Sequence, residues 1–114
     1  MSVQTKSIPI VTSAGGAVSV TVRGGCILRK VRVELGTLTT PDITITDEPS
    51  GDEILVVAGL ATDESYLPAR PAHDDAGAEI EGSATPWVIE TRLLIAIAGG
   101  GASKTGEITL VYER

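Results

Sequence analysis

The residues best placed to do chemistry form a loop near the end of the chain. Gly99-Gly100-Gly101-Ala102-Ser103-Lys104-Thr105 follows an apolar run and approaches a phosphate-binding motif. Such a loop needs Gly-x-x-x-x-Gly-Lys-Ser/Thr between a strand and a helix. Its glycines let backbone N–H groups wrap phosphates, and the helix N-terminus adds a favourable dipole. Lys104-Thr105 are in place, but Ala98 stands where the first glycine belongs and Ser103 where the second does. The following segment, Gly106 to Glu113, alternates as a strand rather than a helix. The loop reads as a glycine-rich hairpin turn, and no cofactor is expected.

Other constellations are equally sparse. His73-Asp74-Asp75 places the single imidazole beside two carboxylates, with Asp63 and Glu64 nearby in sequence. Zinc wants several His or Cys ligands at structured spacings, and calcium loops want an Asp-x-Asp-x-Asp-Gly pattern. Neither is present, so this reads as a solvated acidic loop and no metal is expected. Any hydrolytic triad would have to use His73, and no Gly-x-Ser-x-Gly elbow presents a serine. Cys26, the lone cysteine, is flanked by Gly25 and Ile27 and reads as a small buried apolar residue. No catalytic residue is assigned, and the chain is expected not to be an enzyme.

The aromatic supply is Tyr66, Trp87 and Tyr112. Tyr112 shares the inward parity of Ile108 and Leu110. Tyr66 and Trp87 each lie near proline, in Tyr66-Leu67-Pro68-Ala69-Arg70 and Pro86-Trp87. They either pin a long connection onto the body or anchor a partner chain, since aromatics and Arg dominate interface hot spots. Tyr66, Pro68, Arg70 and Trp87 are therefore the candidate partner contacts. A host-surface glycan-binding module is the alternative, stacking sugars on Tyr66 and Trp87.

These groups need a scaffold, and composition says which. The chain of 114 residues has the size of one domain. Without Phe, its core must come from Val, Ile, Leu and Ala, helped by threonine methyls. β-Branched residues favour pleated surfaces over helices. Nine Lys and Arg against 15 Asp and Glu leave a formal charge of −6. That surface repels nucleic acid and anionic membranes, and neither is an expected partner. The start, MSVQTKSIPIV, lacks a signal-peptide pattern, and the longest apolar run, Leu93 to Ala98, is far below the ~20 residues of a spanning helix. These features fit synthesis and residence in cytosol-like conditions, or in a particle assembled there.

Period-two alternation then gives the elements. Ser7 to Thr12 reads as an edge strand or arm because of Pro9, and Ala17 to Arg23 alternates Val18, Val20 and Val22 inward. Ile27 to Leu35 places Ile27, Val31, Val33 and Leu35 on one face, with Leu28 and Arg29 against the pattern at a bulge. Asp42–Thr46 and Glu53–Ala58 form a hairpin across a Pro-Ser-Gly-Asp turn. Residues 59–86 are a long surface connection with a short strand near Ala78–Glu81. Val88 to Ala98 and Gly106 to Glu113 form a terminal hairpin around the glycine loop, with Ile89, Leu93, Ile95 and Ile97 inward. Leu94, Ala96 and Ala98 make the opposite face apolar too, so a cover is expected, either the long connection or another subunit. Seven or eight short strands predict a single all-β domain over 1–114, an antiparallel β-sandwich or jelly roll, with 1–12 as an N-terminal arm or edge strand.

The order of these pieces resembles a family of small virion structural proteins encoded among the head genes of tailed bacteriophages. The shared features are Val31-Arg32-Val33-Glu34-Leu35-Gly36, then Asp42-Ile43-Thr44-Ile45-Thr46, and an acidic turn leading to Ile54-Leu55. Tyr66-Leu67-Pro68-Ala69-Arg70, the glycine loop with Lys104-Thr105-Gly106, and a Thr-x-x-Tyr strand ending in Glu113-Arg114 complete it. The resemblance implies a non-enzymatic capsid decoration (cement) protein on the virion surface, assembled in the host cytoplasm, or else another head or tail accessory component. Its implied partners are the major capsid protein and further copies of itself, with a trimer suited to local three-fold axes.

Overall fold

Ten strands make up the regular structure of a computed structural model that describes residues 2–70, 85–89 and 91–114, and none of those residues is helical. They are β1 (Val3–Val11), β2 (Val18–Arg23), β3 (Cys26–Glu34), β4 (Asp42–Asp47), β5 (Asp52–Val57), β6 (Glu64–Tyr66), β7 (Ala69–Arg70), β8 (Thr85–Ile89), β9 (Arg92–Ala98) and β10 (Thr105–Glu113). One sheet runs β1-β10-β3-β8-β7, with β6 also on β3, and the other runs β2-β9-β4-β5. Every pairing is antiparallel.

β6 and β8 share one lane. β6 pairs with Val31–Val33 and β8 with Cys26–Leu28, along the same edge of β3. Between them the chain turns aside into β7, which pairs back on the start of β8 at Ala69↔Pro86 and Arg70↔Thr85. Merging β6 with β8 and setting β7 aside takes the ten strands to eight lanes. The sheets then read 1-8-3-6 and 2-7-4-5. That is the lane order of a jelly roll, a double-sheet roll of two Greek keys.

The roll is a folded antiparallel ribbon, and its corners follow from the register. β2 pairs with β9 up to Arg23↔Arg92, and β3 pairs with β8 from Cys26↔Ile89. Both chains thus cross between sheets side by side, and Gly24 N–H donates to Thr91 O at 2.7 Å. The expected single strand from Val88 to Ala98 is therefore two strands in different sheets. The expected hairpin of β9 with β10 is likewise absent: β9 lies between β2 and β4, and β10 between β1 and β3. Alternation along a strand sets its faces but not its neighbours.

Alternating apolar residues meet between the sheets. Leu28, Val31 and Val33 face Ile43, Ile45 and Ile95 in one buried cluster. Each such side chain contributes ~1.5–3 kcal/mol when removed from water. The β3 expectation needs one correction. Its register against β10 slips between Lys30↔Val111 and Leu28↔Tyr112, so Arg29 is a bulge, as predicted, and parity reverses beyond it. Leu28 is buried and Ile27 is not. The β4–β5 hairpin forms as expected, with its own bulge at Ile54. Residues 3–11 pair with β10 along their full length as an edge strand. On the outer face of the second sheet, Leu94 and Ala96 are half-buried and Ala98 is exposed, so no described residue supplies the expected cover.

Candidate functional site

The glycine loop is the middle of three crossings at one end of the roll. β1 crosses to β2 on one flank through residues 12–17, and β3 crosses to β4 on the other through residues 35–41. Its backbone is consumed on both flanks. Gly100 N–H donates to Gly16 O (3.1 Å) and Ser103 N–H to Ser13 O (3.1 Å). Lys104 N–H donates to Thr12 Oγ1 (2.8 Å). On the other flank Gly100 O accepts from Thr39 N–H (3.1 Å). Thr12 is the hub: its hydroxyl also donates to Gly101 O at 2.7 Å, and the residue is only 3% exposed. Gly101, at φ +90°, adopts a conformation that L side chains rarely take. A phosphate cradle needs free N–H groups converging on one point. Here Gly100, Ser103 and Lys104 spend theirs on the fold.

Beside this end lies a cleft of about 370 Å³ lined by Glu34, Gly36, Asp63, Thr105, Gly106 and Glu107. Glu34 and Glu107 are register partners on β3 and β10. Asp63 spends Oδ1 on Leu35 N–H at 2.8 Å. Among the described residues no group of three His, Cys, Asp or Glu side chains is arranged to hold a metal. His73, Asp74, Asp75 and the expected strand at Ala78–Glu81 lie outside the described residues.

Cys26 sits on β3 opposite Ile89 and is half-buried. Burial pushes its thiol above the ordinary range, against a smaller opposing pull from the Arg114 guanidinium. The thiol holds its proton at neutral pH, and the thiol is the weak form of the nucleophile.

The candidate partner contacts gather where the sixth lane is interrupted. Tyr66 lies opposite Val31 and Trp87 opposite Leu28, in successive rows of the inner face. Both rings are half-buried against the core, and Pro68 is buried. Burial raises the Tyr66 phenol, with a further push from Glu64. Arg70 lies in β7, paired with Thr85. Tyr66, Pro68 and Trp87 thus sit on either side of the interruption, packed at least partly against the sandwich.

Two residues that sequence reasoning passed over stand out of this region: Leu67 is 75% exposed and Val88 60%. A large apolar residue beside a proline at a strand end was the available signal for Leu67. Val88 had none, because it reads as one apolar residue of the expected strand from Val88 to Ala98.

No family model, curated protein or solved structure matches this chain.

Proposed function

We propose that this protein is a non-enzymatic structural component of a tailed-phage virion, a decoration protein that binds the major capsid protein at the outer surface of the head and stabilises the shell. The observation that carries the reading is the eight-lane jelly roll, an architecture that recurs in viral capsid domains. The order of motifs along the chain supports the same role, and no catalytic site is required for it. The roll fits the task. Its closing loops are knitted to one another through backbone groups, giving a stiff body, while the Leu67 and Val88 side chains project beside the lane interruption. Exposed apolar residues near buried aromatics suit docking on another protein. The glycan-binding alternative would draw on Tyr66 and Trp87, whose rings are half-committed to the core.

Calorimetry of particles assembled with and without the protein tests the proposal. A lower shell transition without it, together with density on the shell that disappears with it, is the expected result. Equal stability and unchanged density would refute it. In the particle we propose a homotrimer, checked by the mass of the purified protein in light scattering.

A further inference from the structure

β1 closes one edge of its sheet, and its hydrogen-bonding phase can be assigned. Ser2 and Arg114 exchange both backbone bonds (Ser2 N–H to Arg114 O, 3.2 Å; Arg114 N–H to Ser2 O, 3.3 Å). The β1–β10 register continues from there without a slip. Antiparallel pairs alternate between bonded and non-bonded. Even-numbered β1 residues therefore bond to β10, and the groups of Val3, Thr5, Ser7, Pro9 and Val11 point to the open side. Pro9 thus sits where its missing N–H costs the fold nothing and removes a donor from the exposed edge. Between Val3 and Ser7 the edge keeps all its donors, and the flanking side chains are exposed.

We infer that this open half-edge pairs with the same half-edge of a second copy, antiparallel about a two-fold axis through Thr5. Three considerations select the occupant and the register. A pairing centred on Thr5 sets Val3 against Ser7 of the second copy and Thr5 against Thr5, giving about six hydrogen bonds from three bonded pairs. It leaves Pro9 outside the paired stretch and places Lys6 opposite Gln4. Moving the axis to Lys6 would set two ammonium groups face to face and bring Pro9 against Val3, orphaning a carbonyl. Moving it to Gln4 would cut the bonded pairs between Val3 and Ser7 from three to two. The strand is thus self-complementary in one register, as an isologous contact requires. The contact is pairwise and separate from any three-fold association.

Sedimentation of the purified full chain over a rising concentration series tests this. The expected result is a concentration-dependent two-fold association that Thr5→Pro weakens about tenfold or more by deleting two of the bonds. Thr5→Pro should keep the wild-type melting temperature, because the Thr5 N–H is unused within one chain. In a Cys26→Ala background, Thr5→Cys should oxidise to a linked dimer, since bonded pairs lie within disulfide reach. Ser7→Cys alone, which faces Val3, should not. The cross-link comparison stands even if Thr5→Pro impairs folding. A monomer at all concentrations, equal cross-linking by both cysteine variants, or a trimer that Thr5→Cys fails to link would each overturn the inference.

Discussion

Replacing Thr12 by valine isolates the hub of the loop end. The two side chains have nearly the same shape, so packing is kept while one hydroxyl is lost. That hydroxyl donates to Gly101 O at 2.7 Å and accepts from Lys104 N–H at 2.8 Å. Valine strands one carbonyl and one N–H beside a residue that is 3% exposed. Orphaned buried groups cost ~1–3 kcal/mol each. Both loop partners are only part-buried, so the lower end applies and the sum is about 2 kcal/mol. At ~2.1 cal/mol/K per residue, unfolding 114 residues carries ~0.24 kcal/mol/K. The melting temperature should fall by ~8 °C. Thr12→Ser keeps both bonds and loses one methyl, worth ~0.8 kcal/mol or ~3 °C. Thermal unfolding by circular dichroism reads both. A valine variant as stable as the parent, or a serine variant less stable than valine, would show that the hydroxyl does not organise the loop.

Other outcomes follow from the same geometry. Ile95→Ala, at a fully buried site opposite Val20 and Ile45, should lose ~2–5 kcal/mol in urea unfolding with an unchanged slope. Gly36→Ala should cost more than Gly51→Ala: both have positive φ, but a Cβ at Gly36 would lie 2.5 Å from Thr105 O, while Gly51 has open space. Because the folded Cys26 thiol sits above its unfolded value, its contribution is complete below about pH 8.5 and is lost as pH rises through the raised value. Urea midpoints from pH 7 to 10 should therefore fall more steeply for the parent than for Cys26→Ala. ATP with magnesium should leave the melting temperature unmoved, and a shift abolished by Lys104→Ala would restore the phosphate reading.

Much of the fold was legible because strands write their faces into alternating residues. Val18, Val20 and Val22, the β4–β5 turn and the bulge at Arg29 could all be read that way. Lane order could not, since Ile95 and Ile108 carry the same apolar signature although they lie in opposite sheets. Between β8 and β9 the sequence carries no glycine or proline, only the polar Glu90-Thr91. The three-residue β6 and two-residue β7 are too short to show a period. At the loop end, the residue pattern gave a glycine turn. The fate of its N–H groups depended on backbone oxygens of distant crossings, which no side-chain pattern records. Tyr66, Pro68 and Trp87 were visible as a cluster, but the β3 register partners of the two rings, Val31 and Leu28, were not.

The split sixth lane has a consequence for what this molecule can tolerate. The chain departs after Tyr66 and returns at Trp87 on neighbouring stretches of one β3 edge, clasped by the β7–β8 pair. The described residues alone fill all eight lanes. Length added between Arg70 and Thr85 carries a ring-closure cost of ~0.6 kcal/mol for each doubling. The roll thus behaves as a chassis with a socket, where spliced peptide would leave the register of the eight described lanes as it was.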